Sequence, residues 1–144
     1  MVKNFLNKYR DAGLLFMRLG VALPFILVYG IMKIQGGPEM WLLVGSAMNN
    51  VKITFGHVVF GFLASASEFF GGILILLGLF TRTAAFFMAF TMLMAFITHL
   101  SIMDAWNIAV HPMELFGVFM GLIFMGAGKY SADHLLFERR KKIR

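Results

Sequence analysis

The sequence has no cysteine, only three prolines, and charged residues at 14% of the chain. Without a thiol there is no disulfide, thiolate nucleophile, dithiol redox centre or cysteine-held iron-sulfur cluster. So few prolines, with a mean hydropathy of +0.81, exclude collagen-like and disordered chains. An ordinary soluble domain carries about 25% charge. The net charge of +6 is not spread along the chain as a nucleic-acid surface requires, so no nucleic-acid partner is expected. What is abundant is apolar. Hydrophobic residues make up 60% of 144, enough for about four spans of 20 residues and nothing further. The 17 phenylalanines and 12 methionines are scattered over every helix face, as lipid-facing and bundle-filling residues are.

Four apolar segments can be drawn, at about 12–34, 55–79, 83–103 and 108–127. They predict a single all-α membrane domain, an antiparallel four-helix bundle with the bilayer as its partner, followed by a basic tail over 128–144. The first segment contains Arg18 and Pro24 and has no small-residue cleavage site, so it reads as a span and not a cleaved signal. Lys3, Lys8, Arg10, Arg82, Lys129 and the run Arg139-Arg140-Lys141-Lys142 fall on one side, against Lys33 and Lys52 on the other. That bias predicts an inner-membrane protein with both termini cytoplasmic. Phe80-Thr81-Arg82 makes a tight hairpin between the second and third spans. The longer first outer loop opens with Gly36-Gly37-Pro38 and contains Glu39 to Val44, too short to span. Its expected form is a short interfacial helix anchored by Trp41, either lying flat or dipping in to cap the bundle.

Within the apolar segments the polar residues need individual explanation. Glu68-Phe69-Phe70-Gly71 lines up with Glu114-Leu115-Phe116-Gly117, and each stretch ends in a basic residue, Arg82 or Lys129. A weak internal repeat would put Glu68 and Glu114 at similar depth. Gly61, Ser65, Glu68, Gly71, Gly72 and Gly78 share one stripe of the second span; His111, Glu114, Gly117 and Gly121 share one of the fourth. Small residues in such stripes let helices approach closely, so Gly71, Gly72, Gly78, Gly117 and Gly121 are expected at packing faces. Both glutamates are then expected inside the bundle, where Arg18 can turn to pair with one of them. Arg18, Glu68 and Glu114 make the expected buried polar core, with catalysis by any of them left open.

Toward the outer side lie Lys33, His57, His99 and His111, which with Trp41 are expected to line a polar pocket. Such a pocket suits a quinone head group or another small polar ligand. A b-type haem needs two facing histidines, and His99 with His57 or His111 would supply them, but no haem motif accompanies them and haem is disfavoured. A di-iron site is disfavoured too, because the chain offers a single His-x-x-Glu, His111 to Glu114. No metal is expected.

Leu15-Phe16-Met17-Arg18-Leu19-Gly20, then Gly30 and Lys33, then the run from Glu68-Phe69-Phe70-Gly71-Gly72 to Gly78-Leu79-Phe80-Thr81-Arg82, and finally Gly126-Ala127-Gly128-Lys129-Tyr130-Ser131-Ala132-Asp133 together resemble the DoxX family of small bacterial membrane proteins. The resemblance extends over about residues 12–136, and departs from the family pattern where Tyr29 replaces a histidine and Ala127 a proline. It implies a four-helix membrane bundle. The family takes its name from a subunit of an archaeal thiosulfate:quinone oxidoreductase, so the resemblance implies at most a membrane subunit or accessory partner of a redox system. A soluble or membrane redox protein is then an expected partner, and homo-oligomerisation stays open. Other readings from the residues are a non-catalytic assembly factor that binds a lipid or a helix and, more weakly, a transporter of a small solute or proton.

Overall fold

The computed structural model describes residues 2–136, and every regular element among them is helical. The Arg139-Arg140-Lys141-Lys142 run lies outside the described residues. Helix α1 (Val2–Pro24) passes through a π-helical turn (Phe25–Tyr29) into α2 (Gly30–Gln35) and then α3 (Gly37–Gly45). A 3-10 turn (Ser46–Val51) leads to α4 (His57–Leu77), α5 (Thr81–Ser101) and α6 (Trp106–Met125). Four helical stretches are long and apolar enough to cross a membrane: Tyr9–Gln35, His57–Leu77, Thr81–Ser101 and Trp106–Met125. They meet in a core of Ala22 and Phe25, Ile75, Ala85 with Met88 and Met92, and Phe119 with Leu122. In lipid the apolar surroundings give no drive to exclude these residues, so close van der Waals fit must hold them.

The first span and α3 lie antiparallel along the whole of α4. Arg18 reaches the carbonyls of Ile75 and Leu76, a Cβ at Gly72 would touch Ile26 and Phe25, and Lys33 meets Glu68. Farther along, Gly61 lies against the backbone of Trp41, and Gly45 against that of His57. A Cβ on either glycine would run into the facing carbonyl, so α3 packs backbone to backbone on the first turns of α4. The short helix expected in the first outer loop therefore extends the packing of the first span lengthwise along α4, and it does not close over α5 and α6 at the end of the bundle. Gly36-Gly37-Pro38 bends the chain without ending the packing, because Pro38 is tolerated in a helix's first turn.

The end of the bundle that carries Arg82 and Lys129 is tied by polar contacts. Gly78, at φ +68°, closes α4: its N–H donates to Ile75 O and the Leu79 N–H to Leu74 O. The chain after α6 then folds back over this turn. Asp133 donates its N–H to Gly78 O and accepts the Phe80 and Thr81 N–H groups on its carboxylate, capping α5. Asp11 accepts the Lys129 N–H and faces its ammonium at 3.8 Å.

Candidate functional site

The site is built around a defect in the first span. Pro24 brings no N–H, and the helix widens after it so that the Gly30 N–H donates to Phe25 O, five residues back. The π turn would crowd any side chain at position 30. A Cβ there would lie 2.7 Å from Phe69 Cα, so glycine lets α2 press directly onto α4 beside Glu68. One helical turn on, the Lys33 ammonium donates to both oxygens of Glu68, each at 2.7 Å. The Glu68 side chain is 1% exposed and that of Lys33 is 30% exposed.

Trp41 fixes the lysine from behind. Its indole N–H donates to the Lys33 carbonyl at 3.0 Å, satisfying an acceptor left over in the last turn of α2. Its ring packs edge-on against Phe62 of α4, centroids 4.9 Å apart. An ammonium has three N–H donors. Glu68 takes two, and the third has no acceptor among the described residues, while Tyr29 and Met32 nearby in sequence are exposed. The arrangement is a buried carboxylate, an ammonium that holds it, and one remaining donor on a side chain that is 30% exposed.

The expected grouping of Arg18, Glu68 and Glu114 is not what the fold assembles. Arg18 is 1% exposed but pairs with neither glutamate. Its guanidinium donates at 2.8 Å to four carbonyls, those of Ile75, Leu76, Ala127 and Tyr130, and so pins α4 to the loop after α6. Arginine suits this position because its planar fork spreads donors over several acceptors. Glu114 is on the outside of α6, with its side chain 67% exposed. Similar sequence around Glu68 and Glu114 does not give similar surroundings: α4 lies between two neighbours, and α6 turns that face away from the bundle.

The expected outer pocket also comes apart. Lys33 and Trp41 are joined as described, but the histidines have local contacts of their own. His57 Nε2 is 3.3 Å from Ile53 O, His99 Nδ1 is 2.7 Å from Asp104 Oδ2, and His111 Nδ1 is 3.7 Å from Glu114 Oε2. His57 and His99 are taken up at helix ends, and His111 lies on an outer face of α6, away from Lys33. A cavity does form at the other end of the bundle, where Asp11, Arg82, Lys129, Ser131, Asp133 and His134 contribute to its lining. Of the packing glycines, Gly71 faces Met88, Gly72 faces Phe25 and Ile26, and a Cβ at Gly78 would strike the Arg18 guanidinium. Gly117 has open space on its side-chain face. The capping roles of Asp11 and Asp133 had no signal in periodicity; Asp133 stood out only as part of the Gly126-to-Asp133 motif.

The model of the DoxX family matches residues 13–101. This chain belongs to the DoxX family. It is similar to the Escherichia coli (strain K12) protein named inner membrane protein YqjF, 34% identical over 136 residues, which cover 91% of this chain and 97% of that one. It is similar also to an uncharacterized protein of Haemophilus influenzae, 32% identical over 149 residues covering 94% and 99%. No solved structure matches. The stretch matched by the DoxX model contains Arg18, Gly30, Lys33, Glu68 and Gly78, which are the guanidinium clamp, the close approach and the ion pair. Glu114 and Asp133 lie beyond it. As a DoxX protein with four apolar helices and an inner-membrane relative, the chain is a membrane-embedded protein.

Proposed function

We propose that this chain is the membrane subunit or accessory partner of a redox system, and that its Lys33–Glu68 pair receives the polar head of a membrane-soluble quinone. The observation that carries the reading is the third N–H of Lys33, unpaired among the described residues, on a side chain 30% exposed and held by a carboxylate that is 1% exposed. An intramembrane ionisable pair is expensive to maintain and marks a functional site more often than a structural one. A quinone carbonyl is an acceptor that matches this donor. Bound there, a quinone would supply two-electron, two-proton chemistry, and in this reading the electrons come from the partner protein of the redox system. Lys33 would orient the head group and Glu68 would hold Lys33. His57, His99 and His111 have no part in this reading.

The protein would lie in the bacterial inner membrane with both termini cytoplasmic, which puts Arg82 and Lys129 inside and Lys33, level with Glu68, near the middle of the α4 span. A reporter fused after Arg144 is then active only in the cytoplasm; activity in the periplasm reverses the topology. The binding claim is tested by extracting purified protein and quantifying quinone by chromatography. Parent protein retains ubiquinone or menaquinone near one per chain, and Lys33→Met loses at least tenfold. Equal retention by both, or none by the parent, removes the quinone site.

A further inference from the structure

The face of α6 that carries His111 and Glu114 is an anomaly for a protein in lipid. Ionisable groups within a membrane normally point into the bundle or into a wet cavity, and Arg18 and Glu68 do so. Glu114 and His111 do the opposite, with side chains 67% and 53% exposed. At 1.5 Å per residue Glu114 lies about 12 Å from Trp106 and about 17 Å from Met125, near the middle of the span. Their contact with each other, at 3.7 Å, is too long for a hydrogen bond. Along the same face a Cβ at Gly117 would meet nothing within 4 Å, and one at Gly121 only the Met125 methyl at 3.5 Å. Of the four spans α6 is the least covered, 22% of its apolar window being buried against 28–33% in the others.

We propose that a second copy of this chain packs on this face of α6, forming a twofold dimer in which His111 of each copy meets Glu114 of the other. Charge complementarity selects this occupant. The face carries one nitrogen donor and one carboxylate acceptor less than a turn apart. Copies inserted in the same orientation, related by an axis along the membrane normal, bring equal depths opposite one another. In such an interface residue i meets j and j meets i, so a donor-acceptor pair on one face is complementary to itself. The two glycines four residues apart allow the backbones to come close enough for those side chains to touch. The dimer takes both groups out of lipid without changing the fold of either copy, and it is independent of the Lys33–Glu68 site on α2 and α4.

The absence of cysteine makes the test clean. Gly117→Cys and Gly121→Cys are placed singly in the full chain and oxidised in native membranes. Phe90→Cys on α5 and Leu63→Cys on α4, both at exposed positions, serve as controls. The proposal expects a disulfide-linked dimer at least tenfold more abundant from position 117 or 121 than from either control. In the Gly121→Cys background, His111→Leu and Glu114→Leu each lower that yield at least fivefold, and co-expressing the two variants restores a linked heterodimer because one reciprocal pair survives in it. Crosslinking no greater than the controls, linkage only to a chain of different mass, or no recovery on mixing overturns it.

Discussion

Arg18 is the residue whose removal the structure makes most legible. In Arg18→Met the side-chain length is nearly kept and the guanidinium is lost, together with four hydrogen bonds of 2.8 Å. The carbonyls do not lose equally. Ile75 O keeps the Gly78 N–H, so Leu76, Ala127 and Tyr130 give up the donor that Arg18 supplied. An orphaned buried acceptor costs about 1–3 kcal/mol. Tyr130 is an exposed residue, which lets water replace part of its loss. The sum falls at about 3–5 kcal/mol, less whatever the protein gains by no longer burying a cation. With about 2–4 °C per kcal/mol for a chain of this size, thermal unfolding in detergent, followed by tryptophan fluorescence, should fall by about 10 °C. Arg18→Lys should lie between parent and Arg18→Met, because one ammonium cannot span four carbonyls on two elements. Glu68→Gln in the Arg18→Met background should add its own loss in full, since the two groups are not partners. An Arg18→Met protein melting within 2 °C of the parent would refute the reasoning.

Lys33→Met strands a 1% exposed carboxylate and should lower stability by about 3 kcal/mol, whereas Lys33→Met with Glu68→Leu should recover most of it, an outcome read as a non-additive double-mutant cycle in the same melt. Simple additivity would mean the pair contributes nothing. Asp133→Ala removes the acceptor of the Phe80 and Thr81 N–H groups and should lower stability by about 1 kcal/mol, with faster amide exchange confined to the first turn of α5 and to the Gly78 turn.

Spans and the sign of the faces were readable to different degrees. The four apolar stretches follow from length and composition, and the residues of the α4 stripe, Gly61, Ser65, Glu68, Gly71 and Gly72, are buried together because α4 touches the first span and α3 on one side and α5 on the other. The stripe of α6 is equally regular and yet faces out. Its opposite side, with Phe119 and Leu122, is just as apolar, so periodicity could not say which side the bundle would take. Arg18's partners were invisible for a different reason: they are backbone carbonyls, which any sequence supplies. The Lys33–Glu68 pair was missed because Gly36-Gly37-Pro38 looks like the end of the first span, which puts Lys33 at the rim. The helix resumes at Gly37 and continues along α4, so Lys33 falls level with the middle of its neighbour.

The central claim is that the donor on Lys33 receives a quinone head beside Trp41. The chain has two tryptophans, and Trp106 is on an exposed face, so Trp106→Phe leaves Trp41 as a single reporter 3.0 Å from the Lys33 carbonyl. Titrating ubiquinone and menaquinone into this variant in nanodiscs should give quenching that saturates near one quinone per chain, and Lys33→Met should reduce it to the weak linear quenching of quinone dissolved in lipid. Linear quenching with Lys33 in place, or identical saturation without it, would contradict the account.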